Sequence, residues 1–254
     1  MSWVTAARVP EFQETAEGAE SCRGSGEVLT VSRLRALGVK SAWCLVDQGL
    51  TALSGFCTTF LLARWLAPEI YGAYAIAFAG YLFVSGLHNV VVLEPMSVLG
   101  PSRHADRLRE YLRAQVGVHG VLVGICSAGV VIVALVVWLI APASPLAGAI
   151  AGSGLALPFL LFLFLARRIC YVRQLPRLAT LGSGCCLALT ASGLYGLRQF
   201  DRVTPFRVFL LAGMASLVGS AVVLRKTWVG GFDMGSVAED RFGWTAVLRE
   251  NWWY

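Results

Sequence analysis

Charge is scarce in this chain, with only 14% of its 254 residues being Asp, Glu, Lys or Arg. Ordinary soluble domains carry about 25%. Hydrophobic residues make up 57% and the mean hydropathy is +0.67, which excludes a conventional water-soluble core. Catalytic signatures are missing as well: there is no G-x-S-x-G, no H-E-x-x-H and no Walker A loop. The seven cysteines form no C-x-x-C and stand at no zinc-ligand spacing from a histidine. The sequence therefore points away from an enzyme and calls for no metal or cofactor. Residues 1–38 lack an apolar segment of signal-peptide length before a cleavage site, and their polar composition predicts a disordered, uncleaved tail. Within it, Val31, Leu34 and Leu37 with Arg33 and Arg35 between them predict a short interfacial helix over Val28 to Lys40.

What the chain does have is long apolar blocks. Six reach the roughly 20 residues needed to cross a hydrocarbon core about 30 Å thick. They run from about Ala42 to Leu66, Tyr71 to Leu93, Gln115 to Ile140, Leu146 to Ala166, Leu178 to Leu197 and Phe206 to Leu224. Pro68, Pro95 and Pro142 are expected to close the first three, because proline cannot donate a helical hydrogen bond. The fold class expected is all-α, a polytopic membrane helix bundle of about six transmembrane helices over residues 39–224. A segment from 225 to 254 follows it.

Seventeen of the 21 Lys and Arg residues fall on one side of this arrangement. That side holds the tail, the second and fourth connections, where Arg167 and Arg168 are counted, and the segment after the sixth span. The other side receives only Arg64, Arg198, Arg202 and Arg207. By the positive-inside rule both termini are expected in the cytoplasm, with the bundle in the cell inner (plasma) membrane. Interspersed between apolar blocks and lacking aromatic interleaving, these cations set topology and do not form a nucleic-acid surface. Residues 101–113 are expected to extend the third span, with Ser102 as N-cap and Arg107 paired to Glu110.

Polar groups inside the blocks are the candidate site. Asp47, Thr51, Ser54 and Thr58 are spaced by four, three and four residues, which places them on one face of the first helix. An Asp in a membrane helix costs roughly 2.5 to 3.5 kcal/mol at mid-depth, so it should turn toward a partner charge or a water-filled cavity. Both an ion-pathway role and a satisfied structural carboxylate remain open. On the second helix, Tyr74, Tyr81, Ser85 and His88 share a face, with Asn89 and Glu94 beyond. Such a face suits either a sugar- or phosphate-binding cavity or helix packing. Gly120, Gly124 and Ala128, and Gly148 with Gly152, predict close helix approach, and Pro158 predicts a kink in the fourth span.

The stretch Leu61-Leu62-Ala63-Arg64-Trp65-Leu66-Ala67-Pro68-Glu69-Ile70-Tyr71-Gly72-Ala73-Tyr74-Ala75 resembles the junction of the first two spans in flippases of the multidrug/oligosaccharidyl-lipid/polysaccharide exporter superfamily. Val92-Leu93-Glu94-Pro95-Met96, followed by Gly100-Pro101-Ser102-Arg103, is similar to its lipopolysaccharide-biosynthesis branch. The likeness covers about Lys40 to Arg113 and is architectural from there to Leu224. It implies one lobe of a two-lobe flippase fold that translocates polyprenyl-pyrophosphate-linked oligosaccharide for polysaccharide or O-antigen export. Its partners would be membrane lipid, the lipid-linked oligosaccharide and a second six-helix lobe, missing or supplied in trans. It also adds Arg64 and Glu94 to Asp47 and His88 as substrate- or ion-pathway candidates. The terminal Phe242, Trp244, Trp252, Trp253 and Tyr254 read as the approach to a seventh span, which suggests a truncated or half-length transporter. A non-transporting scaffold subunit of a polysaccharide assembly complex and a small-molecule or multidrug antiporter are the alternative functions.

Overall fold

The computed structural model describes residues 31–229 and 243–252, with side chains from 38 to 225 and from 243 to 252. Most of the predicted tail, Cys22, Phe242, Trp253 and Tyr254 lie outside the described residues. The chain divides after Val39. Of the first unit only helical backbone from Val31 is described, so the predicted interfacial helix is here the start of a longer one. The second unit begins at Lys40.

All regular structure among the described residues is helical: α1 (Val31–Trp65), α2 (Pro68–His88), a π segment (Asn89–Leu93), α3 (Glu94–Arg103), a 3₁₀ turn (Ala105–Arg107), α4 (Leu108–Ile140), α5 (Pro145–Val172), α6 (Pro176–Gln199), α7 (Pro205–Val229) and α8 (Trp244–Trp252). Six helical stretches are long and apolar enough to cross a bilayer, with α2, the π segment and α3 counting as one. The chain is thus an all-α, polytopic membrane bundle. Proline marks where helices begin, since Pro68, Pro145, Pro176 and Pro205 each open one. Its missing N–H costs nothing in a first turn. Ser144 caps α5 by accepting from the Leu146 amide at 3.2 Å.

Helix α5 is the axis of the bundle and packs against α2, α4, α6 and α7. In its most apolar window 56% of residues are buried, against 11% in α1. Close crossings are built on glycine: a Cβ on Gly152 would lie 2.8 Å from the Phe206 Cα, and one on Gly219 2.8 Å from the Gly182 carbonyl. Of the small residues singled out from spacing, Gly152 makes such a crossing, whereas Gly120, Gly124 and Gly148 have nothing within 4 Å. Large apolar side chains such as Phe83 and Ile140 point outward, as lipid-facing residues must.

Two expectations about helix boundaries are corrected. The second span does not stop at Pro95. Instead the helix widens by one residue over Asn89–Leu93, so that the Glu94 amide donates to the Asn89 carbonyl, and it then runs on to Arg103. Pro95 has no N–H for the Val91 carbonyl, which accepts from Asn251 Nδ2 at 3.0 Å, and the Val92 carbonyl accepts from Gln115 Nε2 at 2.7 Å. Borrowed donors therefore keep the helix intact through a proline. Nor does Ser102 cap the third span. Its hydroxyl donates back to the Val98 carbonyl at 2.5 Å, within α3, and the break falls at His104. The expected Arg107–Glu110 pair is present.

Candidate functional site

The polar face of α1 turns inward. Asp47 is fully buried between α1, α5 and α6. Its Oδ2 accepts from Arg167 Nε at 3.1 Å and Nη2 at 2.6 Å, and also from the Tyr171 hydroxyl. Its Oδ1 accepts from Ser183 Oγ at 2.5 Å. Arg167 and Tyr171 are four apart on α5 and so stand one above the other. Neither charge is left open, for the side chains of Arg167 and Asp47 are only 5% and 0% exposed. An ion pair in lipid repays its desolvation only when the remaining lone pairs are also satisfied, and here two hydroxyls satisfy the carboxylate.

Beyond this pair lies a cavity of about 270 Å³ among α1, α2, α5, α6 and α7. Thr51, Ser54 and Thr58 line it from α1, and Tyr74, Phe78 and Tyr81 from α2. The two faces inferred from spacing therefore meet here through Thr51, Ser54 and Thr58 on one side and Tyr74 and Tyr81 on the other, while Ser85 lies outside the lining. The rings form a continuous wall, with Tyr74–Phe78 and Phe78–Tyr81 centroids both 5.7 Å apart and Phe209 of α7 5.3 Å from Tyr74. Arg167 and Ser183 also line the cavity, so the ion pair that joins α1 to α5 is part of its wall.

The other sequence candidates sit elsewhere. His88 is buried and its Nε2 hydrogen-bonds His119 Nδ1 of α4 at 2.8 Å, outside the cavity lining. Glu94 is exposed and accepts from Asn89 Nδ2 at 3.0 Å. Arg64 is exposed near the end of α1, seventeen residues and about 25 Å along the helix from Asp47. The partner of Asp47 is instead Arg167, which the sequence pattern places in a connection because the apolar block ends at Ala166. The i, i+4 spacing of Arg167 and Tyr171 was the available signal. No family profile, curated protein or solved structure matches this chain.

Proposed function

We propose that the chain is a membrane carrier, a six-helix flippase lobe that moves polyprenyl-pyrophosphate-linked oligosaccharide for cell-surface polysaccharide assembly. The cavity carries this reading. It is lined by five of the six spans, and it sets an aromatic wall against a row of hydroxyls. Aromatic faces and hydroxyls together suit sugar rings, while apolar walls suit an isoprenoid chain. No chemical step is assigned to the chain. Asp47 acts as a positioning residue that holds Arg167 in the cavity wall, and Arg64, Glu94 and His88 have no direct part. The arginine-rich end lies in the cytoplasm, as the positive-inside rule requires, and the membrane is the cell inner membrane. A second six-helix lobe, in the same polypeptide or in trans, supplies the opposite wall for alternating access.

Deletion of the gene is expected to abolish surface polysaccharide in the native host. Wild type and Arg64→Ala should restore it, whereas Thr51→Leu combined with Ser54→Leu, which fills the cavity with methyl groups, should restore less than about a tenth. Unchanged polysaccharide after deletion overturns the proposal. Scrambling of a lipid-linked glycan by purified chain in vesicles separates the carrier from a scaffold.

A further inference from the structure

The short helix α8 is docked on α4 and on the π widening of the second span. Val247 is fully buried in the cluster that contains Val92, Met96 and Leu112, and Trp244 lies over Gly117, where a Cβ would come within 3.2 Å of it. Asn251, also buried, donates through Nδ2 to the Val91 carbonyl at 3.0 Å and to Gln115 Oε1 at 3.2 Å. Its Oδ1 has no partner among the described residues. Glu250 joins Arg103 at 3.3 Å and His104 at 3.1 Å, just where α3 ends. Asn251 and Glu250 thus reach the segment from the π widening to the end of α3, and Val247 shares its apolar cluster, while Trp244 and the second Asn251 bond rest on α4.

We propose that α8 is a releasable latch on this hinge, and that its docking sets the position of α2 and hence of the cavity wall that Tyr74, Phe78 and Tyr81 form. The carbonyl that Pro95 frees makes the segment dependent on a donor from outside the helix. That donor comes from a nine-residue helix held by the buried Val247, by Leu248 and Trp244 packed beside it, by one carboxamide and by partly exposed ion pairs. Val91 also stands about 35 Å along the helix from Pro68, beyond a hydrocarbon core of about 30 Å. Water at that depth replaces the Asn251 donor when α8 leaves, so undocking exposes no unsatisfied carbonyl to lipid. The inference holds whatever the cavity carries.

Hydrogen–deuterium exchange of the full chain in lipid nanodiscs, with site-resolved alkylation of the cavity residue Cys186, tests it. Asn251→Asp keeps the size of the side chain but puts a carboxylate against the Val91 carbonyl. The expected result is at least tenfold faster exchange in both residues 89–96 and α8, unchanged exchange in α5, and faster alkylation of Cys186. Trp252→Ala, on the exposed side of α8, should change none of these. If Asn251→Asp loosens the whole bundle, Glu250→Ala must reproduce the paired acceleration on a smaller scale. Faster exchange in α8 alone, no acceleration anywhere, or an accelerated hinge with Cys186 alkylation unchanged overturns the proposal.

Discussion

Three prolines stand inside spanning helices of this protein, Pro95, Pro101 and Pro158, and the bundle treats the first and the last differently. Pro158 lies in the middle of α5, about 20 Å along the helix from Pro145 and so deep in the hydrocarbon region. The carbonyl it frees, that of Gly154, accepts from Ser127 Oγ at 2.5 Å, a donor on another spanning helix. Pro95 lies near the membrane surface, and the carbonyl it frees is served by Asn251 of the short helix α8. Depth explains the contrast. Where no water can reach, a freed backbone carbonyl needs a permanent partner, whereas at the surface a removable one suffices. The axial helix is thus built to stay, and the α2–α3 junction is built so that it can move.

The largest way to break this contrast is to attack the axis. Arg167→Leu leaves Asp47 buried without its countercharge, and equilibrium unfolding in mixed micelles should show a loss of about 3–5 kcal/mol. The double variant Asp47→Leu, Arg167→Leu should recover most of it, because the cost lies in the orphaned charge. A single variant within about 1 kcal/mol of wild type would mean that α5 is not the rigid element described.

Crossing geometry gives a smaller effect of the same kind. Gly152→Ala drives a methyl group to within 2.8 Å of the Phe206 backbone and should cost about 1–3 kcal/mol through separation of α5 and α7. Gly120→Ala, which meets nothing within 4 Å, should stay within about 0.5 kcal/mol. Equal effects at the two positions would place the tight crossing elsewhere.

Much of this was legible in the sequence, and the reason it stopped where it did is physical. Span number follows from block length alone, and the inward turn of Asp47 follows from the cost of a carboxylate in lipid. The faces Thr51–Ser54–Thr58 and Tyr74–Tyr81 were readable from helical period, and the cavity is where they converge. What could not be read was the source of compensation. Arg167 looks like a loop cation because hydropathy falls at its position, although α5 runs on to Val172 and carries it inside. Pro95 looks like a stop because its remedy, Asn251, stands 160 residues from Val91. Local pattern cannot announce a donor that arrives only through tertiary packing. His119 escaped for the same reason, since a lone histidine gains meaning only from the His88 ring beside it.

The finest test isolates the Ser127–Gly154 bond itself. Ser127→Ala should cost about 1 kcal/mol, in the range measured for side-chain hydrogen bonds in membrane proteins, by leaving the Gly154 carbonyl without a donor. Pro158→Ala restores a backbone N–H to that carbonyl, so in its background Ser127→Ala should cost almost nothing. A double-mutant cycle therefore gives a coupling energy close to the full single-variant cost. If Ser127→Ala costs the same with and without the proline, the hydroxyl is not compensating for it. The permanence of the deep break would then rest on packing around α5, and depth would no longer explain why the two prolines are served so differently.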